Sequence, residues 1–309
     1  MQTIEKNYAF PSHSGVGEIQ AVSLAPQNGE IKGVVQLSHG MAEHAARYRR
    51  FAEYLCANGF AVFFHDHIGH GASVASPELL GYFGDANGET HFVEDLKTVT
   101  DWCKREYPDL PLFLLGHGMG SLIARKYTAQ YGENLRGAIY SGTSGANPAL
   151  GVGLLLCNLL IKAKGPRHRS AMLDKIAFGA YNKKTEKRTP CDWASRDEAE
   201  VDKFIADPLC GYKYTVSGLK ALFLTVREIS KDSWYRAVPA DLPILLISGT
   251  MDPIGNYGKG VKEVFERLES TNHRRVQMKL YKDARHEILN EINRDEVFAD
   301  ILSFLCANL

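Results

Sequence analysis

Along this chain, short apolar runs alternate with segments whose apolar residues recur every three to four positions. GVVQLSHG (33–40) is a nearly unbroken apolar run closed by glycine, the pattern of a strand buried on both faces. Comparable runs lie at 61–65, 112–116, 137–142, 243–249 and 276–282. The spacing between them predicts helices over 48–58, 91–106, 119–131 and 261–268, with a last helix ending near Cys306. Two extended stretches, 3–10 and 18–24, predict an opening antiparallel pair. Buried strands separated by helices predict an α/β fold, with a mostly parallel eight-stranded sheet covered by helices on both faces.

The alternation stops at 144 and resumes after 235; the stretch between has no buried-strand run and is rich in helical periodicity. This predicts one core domain, 1–143 and 236–309, interrupted by an inserted helical cap subdomain, 144–235. Ser195 with Glu198 three residues on predicts a capping box opening one cap helix. The most apolar stretch, 149–161, is interrupted by Gly151, Gly153 and Asn158 and is too short to span a bilayer.

Composition narrows the function. The chain has 36 Lys/Arg and 36 Asp/Glu, a formal net charge of zero, which argues against a nucleic-acid binder. The six cysteines are scattered with no close pair, so buried free thiols in a reducing compartment are expected. Glu5 and Lys6 stand where a signal peptide would need an apolar run, and the expected location is cytoplasmic. The zero conceals an asymmetry: residues 144–235 hold 15 Lys/Arg against 10 Asp/Glu, and the remainder 21 against 26.

The chemistry centres on LFLLGHGMGS (112–121), a strand, a glycine-rich turn and a helix, which is the setting of a nucleophile elbow, G-x-S-x-G. The nucleophile position is Gly118, so the hydroxyl is missing. The rest of a Ser–Asp–His relay follows in chain order. Asp252 follows the strand 243–249 and is placed to orient an imidazole; His286 follows the strand 276–282 and is placed as general base. Met41, in SHGM (38–41), and Met119 would supply the backbone N–H groups of an oxyanion hole. Neither Ser121 nor Ser141 stands where it could replace the nucleophile. A dinucleotide fingerprint fails, because Ser121 takes the place of the third glycine. His39, His44, His65, His67 and His70 show no Cys/His zinc spacing, so no metal is expected.

With HGMAEH (39–44), HDHIGHGAS (65–73), GHGMG (116–120), SRDEAEVDKFIADPLCG (195–211), GTMDP (249–253) and ARHE (284–287) in this order, the chain resembles the bacterial lysophospholipase and monoacylglycerol-lipase-like branch of the α/β-hydrolases, which are serine aminopeptidase-like hydrolases. The resemblance covers nearly the whole chain. It implies the α/β-hydrolase fold, a carboxylic-ester hydrolase acting on small single-acyl-chain lipids or esters, a helical cap and no cofactor. It also implies that His39, Gly40 and His117 support the site as loop scaffolding. Gly118 departs from the pattern, so turnover is expected to be abolished or very low, whether the substitution is engineered or natural. Alternatives stay open: a lipid- or fatty-acid-binding pseudoenzyme, an α/β-hydrolase of peptide or amide bonds, or direct activation of water by His286. The stretch 149–161 is expected to line an acyl pocket or dock on a membrane. Lys162, Lys164, Arg167 and Arg169 would then meet an anionic surface.

Overall fold

The computed structural model describes residues 2–309. Its eight strands, β1 (Thr3–Pro11), β2 (Glu18–Pro26), β3 (Gly33–Ser38), β4 (Phe60–His65), β5 (Leu112–His117), β6 (Gly137–Ser141), β7 (Ile244–Gly249) and β8 (Val276–Tyr281), form one sheet in the order β1-β2-β4-β3-β5-β6-β7-β8. β1 pairs antiparallel with β2 and β2 antiparallel with β4; every other pairing is parallel. β3 through β7 are buried at every position, so their sequences are continuous apolar runs instead of alternating ones. Each fully buried Val, Leu, Ile or Phe side chain stabilises the fold by roughly 1.5–3 kcal/mol, which ties the five central strands to the core more firmly than any local propensity could.

Helices cover both faces. α1 (Arg49–Ala57) and α10 (Arg294–Ala307) close one side, packing Phe51 and Leu55 with Phe298 and Ile301. α2 (Gly88–Glu106), α3 (Met119–Tyr131) and α9 (Lys259–Ser270) close the other. α2 starts three residues before the expected 91, capped at Asn87, and β3 stops at Ser38, leaving His39 and Gly40 in a loop.

Between β6 and β7 the chain is helical: α4 (Leu150–Lys164), α5 (Ala171–Phe178), α6 (Glu198–Ala206), α7 (Val216–Ile229) and α8 (Asp232–Ala237). α7 buries Val216, Leu219, Leu222, Val226 and Ile229, and α4 lies across it through buried Leu154 and Cys157. The opposite face of α4 carries Val152, Leu155 and Leu159, which are 64%, 59% and 55% exposed. These three side chains are open to solvent. Among the described residues no helix is long and apolar enough to cross a membrane.

The expected capping box is displaced. Asp197, not Ser195, caps α6, its carboxylate accepting from Ala199 N and Glu200 N. The Ser195 hydroxyl is committed elsewhere, donating to Asn290 O at 2.9 Å. Asp197→Ala should therefore lower stability by about 1 kcal/mol, the usual cost of losing an N-cap. Ser195→Ala should disturb the join to residue 290 without fraying α6; chemical denaturation with helix-selective amide exchange separates the two. The thiols also differ in part from expectation: all six are free, but Cys191 is half-buried and Cys306, on the outer side of α10, is exposed.

Candidate active site

The residues singled out by sequence meet at the carboxyl ends of the parallel strands, where open α/β sheets bind ligands. Gly40 and Met41 follow β3, Gly118 follows β5, Asp252 follows β7 and His286 follows β8. The turn after β5 is sharp. Gly118 has φ 52° and ψ −119°, a left-handed conformation that glycine adopts with little strain. Its N–H donates to Ser141 O at 2.9 Å. Two residues on, a side chain at Gly120 would collide with the carbonyls of Ser38 and His39. That close approach seats the head of α3 directly on the loop after β3.

A Cβ built on Gly118 would stand 2.9 Å from His286 Nε2 and 3.6 Å from Gly40 Cα. The imidazole is thus aimed at the missing side chain, with the loop after β3 on its other flank. His286 Nδ1 is 3.0 Å from Asp252 Oδ2, and both residues are buried. Asp252 is itself held: Ser248 Oγ donates to Oδ2 at 2.7 Å and Ile254 N to Oδ1 at 2.9 Å. Burial opposes a charge on His286, but the Asp252 carboxylate bonded to it outweighs burial and holds its pKa above 6.5. For Asp252 burial acts the other way, and the imidazolium with these donors keeps its pKa below 3.8.

Gly40 N donates to Glu43 Oε1 at 2.6 Å, which fixes the loop and leaves the next N–H, of Met41, free. Neither Met41 N–H nor Met119 N–H, at the head of α3, donates to a protein acceptor among the described residues. His39 is fully buried scaffolding, Nδ1 bonding to Gly40 O at 2.8 Å and Nε2 accepting from His67 N at 3.0 Å. His117 Nδ1 bonds with Ser141 Oγ at 3.0 Å, and its ring lies 4.5 Å from that of His286. Burial, reinforced by His286, pushes the His117 pKa down to about 4. Ser121 Oγ turns back to donate to Gly118 O at 2.6 Å. Both serines near the elbow are therefore spoken for.

Several neighbours carried no sequence signal. Trp193 of the inserted segment lies with its ring 5.5 Å from His286, and Tyr181 lies 5.2 Å from Trp193. His286 N donates to Trp193 O at 3.4 Å and Glu287 N to Ala194 O at 2.7 Å. Arg285 reinforces this seam by donating to Asp192 O and Ser195 O at 2.7 and 3.0 Å. Arg47 joins Glu43 to Glu287, the residue after His286, so one buried guanidinium ties the loop after β3 to the loop after β8. Burial raises the Glu43 pKa, but Arg47 prevails and brings it to about 2.

The one group of metal-ligating type among the described residues is His44, Asp207 and Cys210, whose donor atoms lie within 4.8 Å of one another. It lies between the loop after β3 and the turn after α6, and His44 Nε2 there already pairs with Asp207 Oδ2 at 2.9 Å.

Residues 29–293 match the model of the family described as serine aminopeptidase, S33. The chain is 28% identical over 299 residues to a monoacylglycerol lipase of Mycolicibacterium smegmatis, covering 96% of this chain and 97% of that protein. It is 29% identical over 270 residues to the mouse monoglyceride lipase, covering 86% and 78%. A thermostable carboxyl esterase from Bacillus coagulans, solved in complex with glycerol, superposes with a TM-score of 0.93 at 32% identity, covering 99% of each chain. By fold and by sequence, this chain belongs to the serine aminopeptidase S33 family of α/β-hydrolases, on its monoacylglycerol-lipase-like branch.

Proposed function

We propose that the chain is a carboxylic-ester hydrolase by descent, of the monoacylglycerol-lipase type, whose chemical step is removed by Gly118. One observation carries the reading: His286 Nε2 stands 2.9 Å from where a Cβ at position 118 would be, with Asp252 bonded behind it. With serine there, His286 is the base that takes the Oγ proton and Asp252 holds the productive tautomer. Met41 N–H and Met119 N–H receive the developing oxyanion. With glycine no acyl-enzyme forms, and turnover is abolished or very low. The names of the Mycolicibacterium and mouse relatives support a single-acyl-chain lipid ester as substrate. The test is the Gly118→Ser protein, offered monoacylglycerols, p-nitrophenyl esters and peptidyl p-nitroanilides. Hydrolysis of the esters is expected. A folded serine form that cleaves only the anilides overturns the ester assignment, and one that cleaves nothing overturns the site.

The outward face of α4, with Met172 and Ile176 of α5 at 53% and 63% exposed, supports peripheral contact with an anionic membrane. Lys162 and Lys164 flank it in the open. Arg169 is already committed to the carbonyls of Glu78, Leu80 and Lys213, and Arg167 lies over the Tyr82 ring. Leu155→Asp with Leu159→Asp should weaken binding to phosphatidylglycerol vesicles by roughly tenfold or more, given the apolar area lost. Lys162→Glu with Lys164→Glu should weaken it only at low salt. Vesicle sedimentation checks both, and unchanged binding in the leucine variant refutes the contact. The six free thiols support a cytoplasmic location.

A further inference from the structure

The turn that ends α6 carries two donors on one corner. Asp207-Pro208-Leu209-Cys210 closes on itself, Cys210 N donating to Asp207 O at 3.0 Å, so the carboxylate and the thiol leave the same turn. Aspartate at its first position and proline at its second suit such a turn. Gly211, with φ 69°, then brings the chain against the loop after β3, its N–H donating to Ala42 O at 2.8 Å. His44 stands just beyond Ala42 in that loop. Donor atoms of His44, Asp207 and Cys210 thereby come within 4.8 Å of one another, although His44 and Asp207 are 163 positions apart in the chain. No short Cys/His spacing could have revealed the group.

We propose that His44, Asp207 and Cys210 bind one zinc ion, which ties the inserted segment to the core. Imidazole, carboxylate and thiolate are the three ligand types of zinc, and the sulfur and nitrogen set the group apart from the all-oxygen sites of calcium and magnesium. Zinc bonds of about 2.0–2.3 Å put tetrahedral ligands roughly 3.4–3.6 Å apart. The His44–Asp207 pair, at 2.9 Å, has to open slightly, and the widest pair has to close by about an ångström. Asp207 Oδ1 already accepts from Leu209 N at 2.8 Å, the kind of outer bond that orients a ligating carboxylate and leaves Oδ2 to the ion. On binding, the Cys210 thiol gives its proton to solvent and the His44 ring keeps its proton on Nδ1, so that Nε2 offers its lone pair to the metal.

An ion can reach the site. A cleft of about 310 Å³ opens against His44 and Asp207, whose side chains are 14% and 32% exposed, while Cys210 is a buried free thiol. The open side leaves room for a water as fourth ligand. Local charge also favours a cation. Arg47, Arg50 and Lys203 border the cleft, but Arg47 is paired with Glu43 and Glu287, and Arg50 and Lys203 with Glu200. With Asp207, four carboxylates face these three cations, and the Cys210 thiolate adds one more negative charge. A divalent ion brings the sum to zero. The site depends neither on Gly118 nor on the assignment to ester chemistry.

The experiment is titration of the purified, chelator-treated full chain with Co2+, followed by displacement with Zn2+. One equivalent of cobalt is expected to produce a thiolate-to-metal charge-transfer band and the visible bands of a tetrahedral ion, and zinc should abolish both. Cys210→Ser should remove the charge-transfer band, whereas Cys191→Ser and Cys306→Ser, at the two thiols nearest solvent, should leave it. Asp207→Asn, which can still hydrogen-bond to His44 and Leu209, should weaken zinc by roughly tenfold or more in calorimetry. Zinc should raise the thermal midpoint of the parent chain by a few degrees or more and do so far less in Cys210→Ser. A folded chain that gives no cobalt band overturns the proposal. So does a band that survives Cys210→Ser or vanishes with Cys191 or Cys306, and so does unaltered zinc affinity in Asp207→Asn. Should Cys210→Ser fail to fold, the band in the parent, Cys191→Ser and Cys306→Ser proteins and the affinity of Asp207→Asn decide the matter between them.

Discussion

Gly118→Ser should raise the rate of p-nitrophenyl ester hydrolysis by up to about a million-fold, since loss of a triad nucleophile costs on the order of that factor. Little else needs to change. Asp252 is pinned by Ser248 and Ile254, His286 is bonded to Asp252, and the two candidate oxyanion donors are free. One adjustment is required. A Cβ 2.9 Å from His286 Nε2 is too close for comfort, so the imidazole must withdraw by a few tenths of an ångström while keeping its bond to Asp252. It is the far end of a side chain, free to rotate, and the adjustment is small. The same substitution should cost stability, because a serine at φ 52°, ψ −119° is strained where glycine is not; a loss of about 1 kcal/mol or more is expected. Steady-state kinetics and urea denaturation on the same pair of proteins measure both effects. A serine form that is more stable and no faster would contradict the elbow on each count.

In that serine background, Asp252→Asn should reduce kcat by on the order of ten-thousand-fold, as the imidazole loses both its orienting acceptor and the partner for its charge. The pH profile tells this apart from simple damage. The base works only when neutral, so activity is lost as pH falls through the pKa of His286. With Asp252 present that pKa lies above 6.5, and the acid limb of the profile stands correspondingly high. Without the carboxylate, burial is opposed only by the weaker pull of Glu287 and Glu43, so the pKa falls and the limb must move to lower pH even as the plateau collapses. A variant that loses rate with the limb unmoved would mean that Asp252 does not face the base in the working protein. Ser248→Ala, which removes one donor to Asp252, should act in the same direction and far more weakly.

What the sequence makes legible follows from burial. The central strands are covered on both faces, so 33–38, 60–65, 112–117 and 244–249 announce themselves as apolar runs, and a chemical group at the end of each run is easy to place. Gly118 and Asp252 were legible for that reason, whereas His286 follows β8, an edge strand only partly buried, and was placed by chain order after Asp252. Their partners were not. Arg47 meets Glu287 through a contact spanning 240 positions, and Arg285 reaches back 93 positions to Asp192. Neither has a periodicity to betray it. The stretch between β6 and β7 was legible as helical, but neither the number of its helices nor their facing was. α4 is apolar on its inner and outer sides alike, and sequence cannot say which leucines are covered. The S-x-x-E pattern at 195–198 was misleading because Asp197 offers an equally good cap, and the hydroxyl of Ser195 is needed by Asn290 instead.

The seam between 193–194 and 286–287 bears on engineering by exchange of parts. A chimera that swapped residues 144–235 for the corresponding insertion of a relative would carry away Trp193 O and Ala194 O, the acceptors for His286 N and Glu287 N. It would also strand the Arg285 guanidinium, which relies on Asp192 O and Ser195 O. A graft intended to alter substrate choice alone would thus loosen the base. A splice confined to 150–178, the α4–α5 arm, leaves that seam whole and offers the cleaner exchange.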